Sequence, residues 1–425
     1  MTVASRKPFG QGYAFVVIAV TFVSLLTAGG LRSAPGVLLT PWHKAFGWDR
    51  GLISLAAAIG ICLYGLVGPF AAALMQGFGV RRTLAGALAL MSLSTLLSAC
   101  MTQPWQLIAT WGVMSGVASG GVAMVLAATV VNRWFVARRG LMIGLLTAST
   151  ATGTLLFLPA FAAIADAGGW RTVVLIIAAV SGVLAPLAWM LMPERPSDIG
   201  LRPWGAPRDA PQPAEGVRAN PIATAFAALT FAMRTPDFWF LAAGFFICGF
   251  TTNGLVGTHL ISLCGDHGMP EVQAAGLMAL MGVFDLVGTT GSGWLTDRFD
   301  PRKLLFAYYG LRGVSLMVLP FTDFSLYSLG IFAVFYGLDW IASVPPTVRL
   351  ATQAFGEARG PIVFGWIFTA HQLGAASAAF MAGAMRSAEG SYLQAFVFAG
   401  CTGLLAAGLS LLVGRFGVRT AQAAA

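Results

Sequence analysis

Arg32, Asp285, Arg312 and Asp339 each lie inside a long apolar run, His371 lies in another, and His259 sits near the end of one. A charge at the centre of a membrane helix costs about 2.5–3.5 kcal/mol on insertion scales, so such residues mark pairing or function. An arginine presents a planar fork of donors that grips a carboxylate through two parallel bonds. A carboxylate or imidazole enclosed in the same setting is a place to load and release a proton. These residue types point to binding an organic anion and moving protons, with no bond made or broken. No HExxH, CxxC, Walker or GxSxG pattern is present, so an enzyme, an ATP-driven pump, a metal and a cofactor are all unexpected. Cys62, Cys100, Cys248, Cys264 and Cys401 are widely spaced and read as small apolar core residues.

The elements that must carry these residues are membrane helices. Of 425 residues, 57% are hydrophobic and 10% charged, against about 25% charged in a typical soluble domain. About 20 apolar residues cross a bilayer. On that criterion the chain is an all-α membrane protein with twelve spans: 13–39, 50–74, 83–101, 105–131, 140–165, 170–192, 237–263, 271–296, 302–320, 325–349, 361–385 and 391–414. With both termini on the cytoplasmic side, 19 of the 25 Lys and Arg residues face the cytoplasm. Only Lys44, Arg50, Arg171 and Arg386 face outward, and Arg32 and Arg312 fall within spans. That bias sets the orientation by the positive-inside rule. It also accounts for the net charge of +9 without a nucleic-acid partner. The expected location is the cell (inner) membrane, multi-pass, as a monomer in lipid.

Residues 193–235 form the one long polar stretch, carrying Pro193, Pro196, Pro203, Pro207, Pro211 and Pro213. They exclude a continuous helix and predict a flexible cytoplasmic linker, with a short surface helix over 223–233. The chain therefore divides into a six-helix half at 1–192, the linker at 193–235, and a second six-helix half at 236–425 with a short tail. Two internal repeats support the duplication. Phe78, Gly79, Val80, Arg81 and Arg82 recur 221 residues later as Phe299, Asp300, Pro301, Arg302 and Lys303. Phe135, Arg139 and Gly140 recur 220 residues later as Phe355, Arg359 and Gly360.

The first of these repeats resembles the G-x-x-x-D-R-x-G-x-R-R loop of the major facilitator superfamily. Gly293, Asp297, Arg298, Arg302 and Lys303 make the second copy nearly complete. In the first copy Ala72, Gln76 and Gly77 replace the glycine, aspartate and arginine, while Gly79, Arg81 and Arg82 remain. The resemblance implies the major facilitator fold. It makes Arg81, Arg82, Asp297, Arg298, Arg302 and Lys303 gating-loop residues that link cytoplasmic helix ends as the transporter rocks. A narrower likeness runs from Arg32 through Gly36 and Pro41 to Phe46, Gly47, Trp48, Arg50 and Ser54. It continues in Asn132 to Phe135 and in Arg138, Arg139 and Gly140. This is similar to the branch holding monocarboxylate and oxalate/formate carriers. Proton-linked carriers of that branch have an aspartate and, four residues on, an arginine on helix eight. Asp285 fits the first position and Thr289 occupies the second.

In the family, helices 1, 4, 7 and 10 surround a central cavity, which implies that Arg32 and Asp339 reach it, with Asp285 and His371 on flanking helices. The 221-residue offset maps Arg32 onto Asn253 and Tyr64 onto Asp285. Arg32, Tyr64, Asn253, Asp339 and His371 are therefore the expected substrate-binding residues, and Asp285, Asp339 and His371 the proton-coupling candidates. Two readings of Arg32 stay open, an anion clamp or a side chain snorkelling outward. Tyr64 and Asn253 equally fit plain helix–helix hydrogen bonding. Arg312, on an outer helix, is expected to form a structural ion pair with Asp285 or Asp339. The expected function is secondary active transport of a small organic anion, coupled to protons, by alternating access. A multidrug or metabolite exporter of the same superfamily is the alternative.

Overall fold

The computed structural model describes residues 12–207 and 220–415. The two expected cytoplasmic termini, and the middle of the linker with Pro211 and Pro213, lie outside the described residues. Twelve long helices follow one another: α1 (Tyr13–Phe46), α2 (Arg50–Gly77), α3 (Val80–Ser98), α4 (Pro104–Trp134), α5 (139–168), α6 (170–191), α7 (Pro236–Asp266), α8 (Glu271–Thr296), α9 (Pro301–Val318), α10 (326–355), α11 (357–389) and α12 (Leu393–Ser410). A short helix at Pro221–Ala232 precedes α7. The described residues contain no strand, only an isolated bridge between Phe135 and Trp204. Among the described residues, ten helical stretches are long and apolar enough to cross a membrane, the longest of them holding both α10 and α11.

Local chemistry sets most boundaries. Gly47 closes α1 in the left-handed region, and Asp49 then caps α2 by accepting from the amides of Gly51 and Leu52 at 2.7 and 3.2 Å. α1 runs seven residues past the expected end at Leu39, through Pro35 and Pro41, as membrane helices tolerate when nearby groups satisfy the freed backbone. Gly169 (φ 77°) separates α5 from α6, and Gly356 (φ 79°) separates α10 from α11. The residues 193–207 are not free chain. Trp204 donates its amide to Trp134 and accepts from Val136, and its ring meets Phe15 and Phe135.

The described chain forms two compact units that divide between Thr224 and Ala225. Inside each, helices cross where glycine removes a side chain from the contact. In the first unit, a Cβ on Gly153 of α5 would lie 2.9 Å from the Leu26 carbonyl of α1, and one on Gly60 of α2 would lie 2.9 Å from the Trp111 carbonyl of α4. The second unit packs more tightly. A Cβ on Gly374 of α11 would sit 2.0 Å from the Phe246 carbonyl of α7, and one on Gly288 of α8 would sit 1.9 Å from the Leu338 carbonyl of α10. These close crossings bring the polar side chains of α7, α8, α10 and α11 within reach of one another. Gly374→Val should therefore cost about 1–3 kcal/mol or more of stability, because rigid backbone, not a movable side chain, occupies the space. Gly276→Ala, with nothing within 4 Å of the added carbon, should leave the melting temperature of purified protein unchanged. Equal melting for both variants would contradict this packing.

Candidate functional site

In the first unit Arg32 lies two residues after Gly30 on α1, where the helix approaches α5 and a Cβ on Gly30 would meet Phe157. Arg32 is half-buried, and its guanidinium carbon lies 4.4 Å from the centre of the Tyr64 ring on α2. Tyr64 is buried. A guanidinium on an aromatic face is held by the ring's quadrupole, at about 0.5–2 kcal/mol. Among the described residues Arg32 forms no ion pair. The ring fixes the cation from one side and leaves its planar fork of donors without a carboxylate.

The second unit carries the other ionisable residues, and their geometry follows from a break in α10. Pro345 and Pro346 supply no amide hydrogen, so the carbonyls of Ile341 and Ala342 lose their helical partners. The helix opens into a turn over 340–343 before resuming at Val344. Each freed group finds a substitute. The Ile341 carbonyl accepts from the Val344 amide at 2.9 Å, and the Ala342 carbonyl from Ser292 Oγ at 2.6 Å. The Ile341 amide donates to Asp285 Oδ1 at 2.9 Å. Arg312 donates through Nη2 to the carbonyls of Asp339 and Trp340.

Arg312 is 2% exposed. Its Nε donates to Asp339 Oδ2 at 2.7 Å, and its Nη1 to Cys248 Sγ at 3.0 Å. Cys248 Sγ in turn lies 3.2 Å from Ser343 Oγ. Of the two partners left open for Arg312 by sequence, the ion pair is with Asp339. Asp285 Oδ1 also accepts from Thr289 Oγ1 at 2.7 Å. The residue in the expected arginine position thus serves as a hydrogen-bond donor one turn along α8. His371, on α11, packs between Phe245 and Phe368. Three buried polar atoms here have no partner among the described residues: Asp285 Oδ2, Asp339 Oδ1 and His371 Nδ1. Such atoms, in an otherwise satisfied network, are where a proton or a water would be taken up.

Asn253 lies apart from this cluster. It is exposed, within a π-helical turn at Phe250–Val256 of α7, and its carbonyl accepts from Thr258 Oγ1 at 3.0 Å. His259 bridges the Ala379 carbonyl and Tyr392. Of the gating-loop residues, Arg298 covers the Trp294 ring at 3.9 Å. Asp297 pairs with Arg349 at 3.7 Å, and Arg302 pairs with Asp300 at 2.9 Å. The Arg302 guanidinium holds the Asp300 carboxyl below the usual carboxylate range. Arg81 donates to the Met192 carbonyl at 3.0 Å, and Arg82 and Lys303 are exposed. Cys248 was expected only as a small apolar core residue and proves to be a partner of Arg312, while Ser343 and Ser292 were not singled out from sequence. The Pro345-Pro346 pair was the available signal, since two missing donors in one turn require replacement partners.

Two six-helix units with ionisable residues buried in membrane-crossing helices define a multi-pass carrier. The chain belongs to the Major Facilitator Superfamily, whose family model matches residues 20–379. It is 27% identical over 418 residues to monocarboxylate transporter 13 of Rattus norvegicus, covering 97% of this chain and 91% of that one. It is 25% identical over 384 residues to the uncharacterized transporter YcxA of Bacillus subtilis, covering 89% of both. In fold it is similar to the proton:xylose symporter XylE, with a TM-score of 0.71 at 16% identity over 96% of both chains. The fucose:proton symporter FucP of E. coli gives a TM-score of 0.69 at 15% identity, over 94% of this chain and 98% of the other. The protein is a transporter of this superfamily, resembling its monocarboxylate branch.

Removing one partner of a buried ion pair strands the other, at about 3–5 kcal/mol. Arg312→Gln alone should therefore lower stability far more than Arg312→Gln with Asp339→Asn, as read by denaturant unfolding of the purified protein. Additive losses would mean that the two side chains do not act as a pair.

Proposed function

We propose that the protein carries a small organic anion of the monocarboxylate class across the cell membrane together with protons, by alternating access. Arg32 carries this reading. It is a half-buried cation on a membrane helix, positioned by the Tyr64 ring and without an acidic partner among the described residues. A carboxylate substrate supplies the missing countercharge through a bidentate contact. The printed names of the relatives, monocarboxylate transporters among them, agree with that substrate class. An exporter of cationic drugs would have to place its substrate against this charge.

Proton coupling falls to the second unit. Asp285 and Asp339 are both buried, and among the described residues Arg312 is the single cation hydrogen-bonded to that pair's network. One positive charge among two enclosed carboxylates leaves one negative charge to be neutralised, which a proton does at least cost. Asp285 and Asp339, with His371 as a relay, are the groups that load and release it. Asn253 lies on the exposed side of a π-helical turn, where a polar substrate group can hydrogen-bond to it. In this reading both termini and the loops holding most of the Lys and Arg residues lie in the cytoplasm, and the protein acts as a monomer.

Proteoliposomes given a panel of labelled carboxylates, with and without an inward-acid pH gradient, test the reading. Arg32→Ala should reduce transport of the responding anion about 100-fold or more, with Arg32→Lys retaining part, because a lysine keeps charge but not the fork. Unchanged transport in Arg32→Ala would remove the clamp. Asp285→Asn should abolish gradient-driven accumulation while leaving anion exchange. Loss of exchange as well would move Asp285 into the substrate site.

A further inference from the structure

The 221-residue offset aligns Met75, Gln76, Gly79 and Arg81 with Thr296, Asp297, Asp300 and Arg302. In the second unit both acidic positions are filled, and each has work. The Asp300 carboxylate accepts from the Arg302 amide at 2.9 Å and so caps the start of α9. Asp297 pairs at 3.7 Å with Arg349 of α10, whose Nη1 also donates to the Thr296 carbonyl. In the first unit those positions are Gln76 and Gly79, which carry no charge, yet the same contacts exist. Arg133 of α4 donates through Nη2 to the Met75 carbonyl at 2.8 Å, as Arg349 does to Thr296.

The carboxylate comes from elsewhere. Glu194, three residues beyond the end of α6, turns back over the start of α3. Its Oε2 accepts from the Arg81 amide at 3.4 Å and lies 3.9 Å from Arg133 Nη1. The glutamate's own carbonyl also accepts from Arg133 Nη1 at 3.4 Å. The space it occupies is the one Gly79 leaves open. Gly79 stands at φ 100°, and a Cβ there would fall 2.3 Å from the Glu194 carboxylate. A side chain at 79 and the glutamate therefore exclude each other.

We propose that Glu194 is a single replacement for both absent carboxylates, capping α3 and neutralising the α4 arginine at once. It also does something its counterparts in the second unit do not. Asp297 and Asp300 belong to the loop between α8 and α9, so their contacts join that loop to α10 and to the start of α9. Glu194 belongs to the chain leaving α6, so its contacts fasten the first residues of the connecting segment to α3 and α4. The clasp ties down the start of the chain that links the two units; in the second unit the described part of the chain leaving α12 is held without a carboxylate of its own, the Val413 carbonyl accepting from Arg302 Nη1 at 3.3 Å and the Gly414 amide donating to Asp237 at 2.7 Å.

Hydrogen exchange of the full-length protein in detergent tests this, read peptide by peptide. In Glu194→Gln, amides over 81–83 and 192–196 should exchange about tenfold faster or more, as expected when a charge-assisted contact is lost. Amides over 302–304 should not change. Adding Gln76→Asp to Glu194→Gln should restore protection at the α3–α4 contact while 192–196 stays fast. Gln76→Asp alone, which keeps Glu194, should also speed exchange over 192–196, because the new carboxylate competes for Arg133 and repels Glu194. Unaltered exchange over 81–83 and 192–196 in Glu194→Gln would overturn the proposal. So would Gln76→Asp leaving 192–196 as protected as before.

Discussion

One guanidinium bridges the break in α10 to the helices beside it. A tandem proline in a membrane helix releases carbonyls where water cannot satisfy them, and each unsatisfied group there costs several kcal/mol. Arg312 enters from α9 and donates to two carbonyls of the opened turn, to the Asp339 carboxylate and to the Cys248 sulfur. Asp285 takes the one amide the turn exposes toward α8. Charge and backbone repair are therefore the same structure. The carboxylates proposed to carry protons are also those hydrogen-bonded to the broken helix, Asp285 to the Ile341 amide and Asp339 to the arginine that holds the turn.

That arrangement depends on glycine. Side chains on α7, α8, α10 and α11 converge only because Gly249, Gly254, Gly288, Gly337 and Gly374 let backbones approach to distances at which a Cβ would overlap a carbonyl or the chain beside it. Glycine lowers intrinsic helix stability, but in lipid the helix is maintained by the absence of water and the gain is close contact. The first unit uses the same device at Gly29, Gly60, Gly116 and Gly153 and, among the described residues, places no comparable ion pair in its interior. Arg32 rests instead on an aromatic ring. The two units thus share a packing scheme and differ in how they accommodate charge.

Much of this was legible in the chain. Apolar runs of sufficient length determined the helices, the duplicated loop determined the two six-helix halves, and the isolated charges marked Arg32, Asp285, Arg312, Asp339 and His371. Other features were not legible. Thr289 stands where an arginine was expected, and its hydroxyl became a partner of Asp285. The stretch 193–207, read as flexible linker from its prolines, is anchored at Glu194 and Trp204. Proline content predicts the absence of a helix and says nothing about whether an extended segment finds partners.

Hydrophobicity, glycine content and repeat spacing act through local rules: length against bilayer thickness, side-chain size against helix approach, and one loop against its copy. Those rules do not require knowing which residue meets which, so composition and order alone indicated a duplicated helical membrane protein and the residues most costly to enclose. Pairing is a different matter. Whether Arg312 meets Asp285 or Asp339, and whether a carboxylate from beyond α6 can replace two lost from the α2–α3 loop, depend on distances between segments far apart in the chain. Only the packed helices bring a guanidinium, a thiol and the carbonyls of Asp339 and Trp340 to one point. Only there does the empty space at Gly79 become the seat of Glu194.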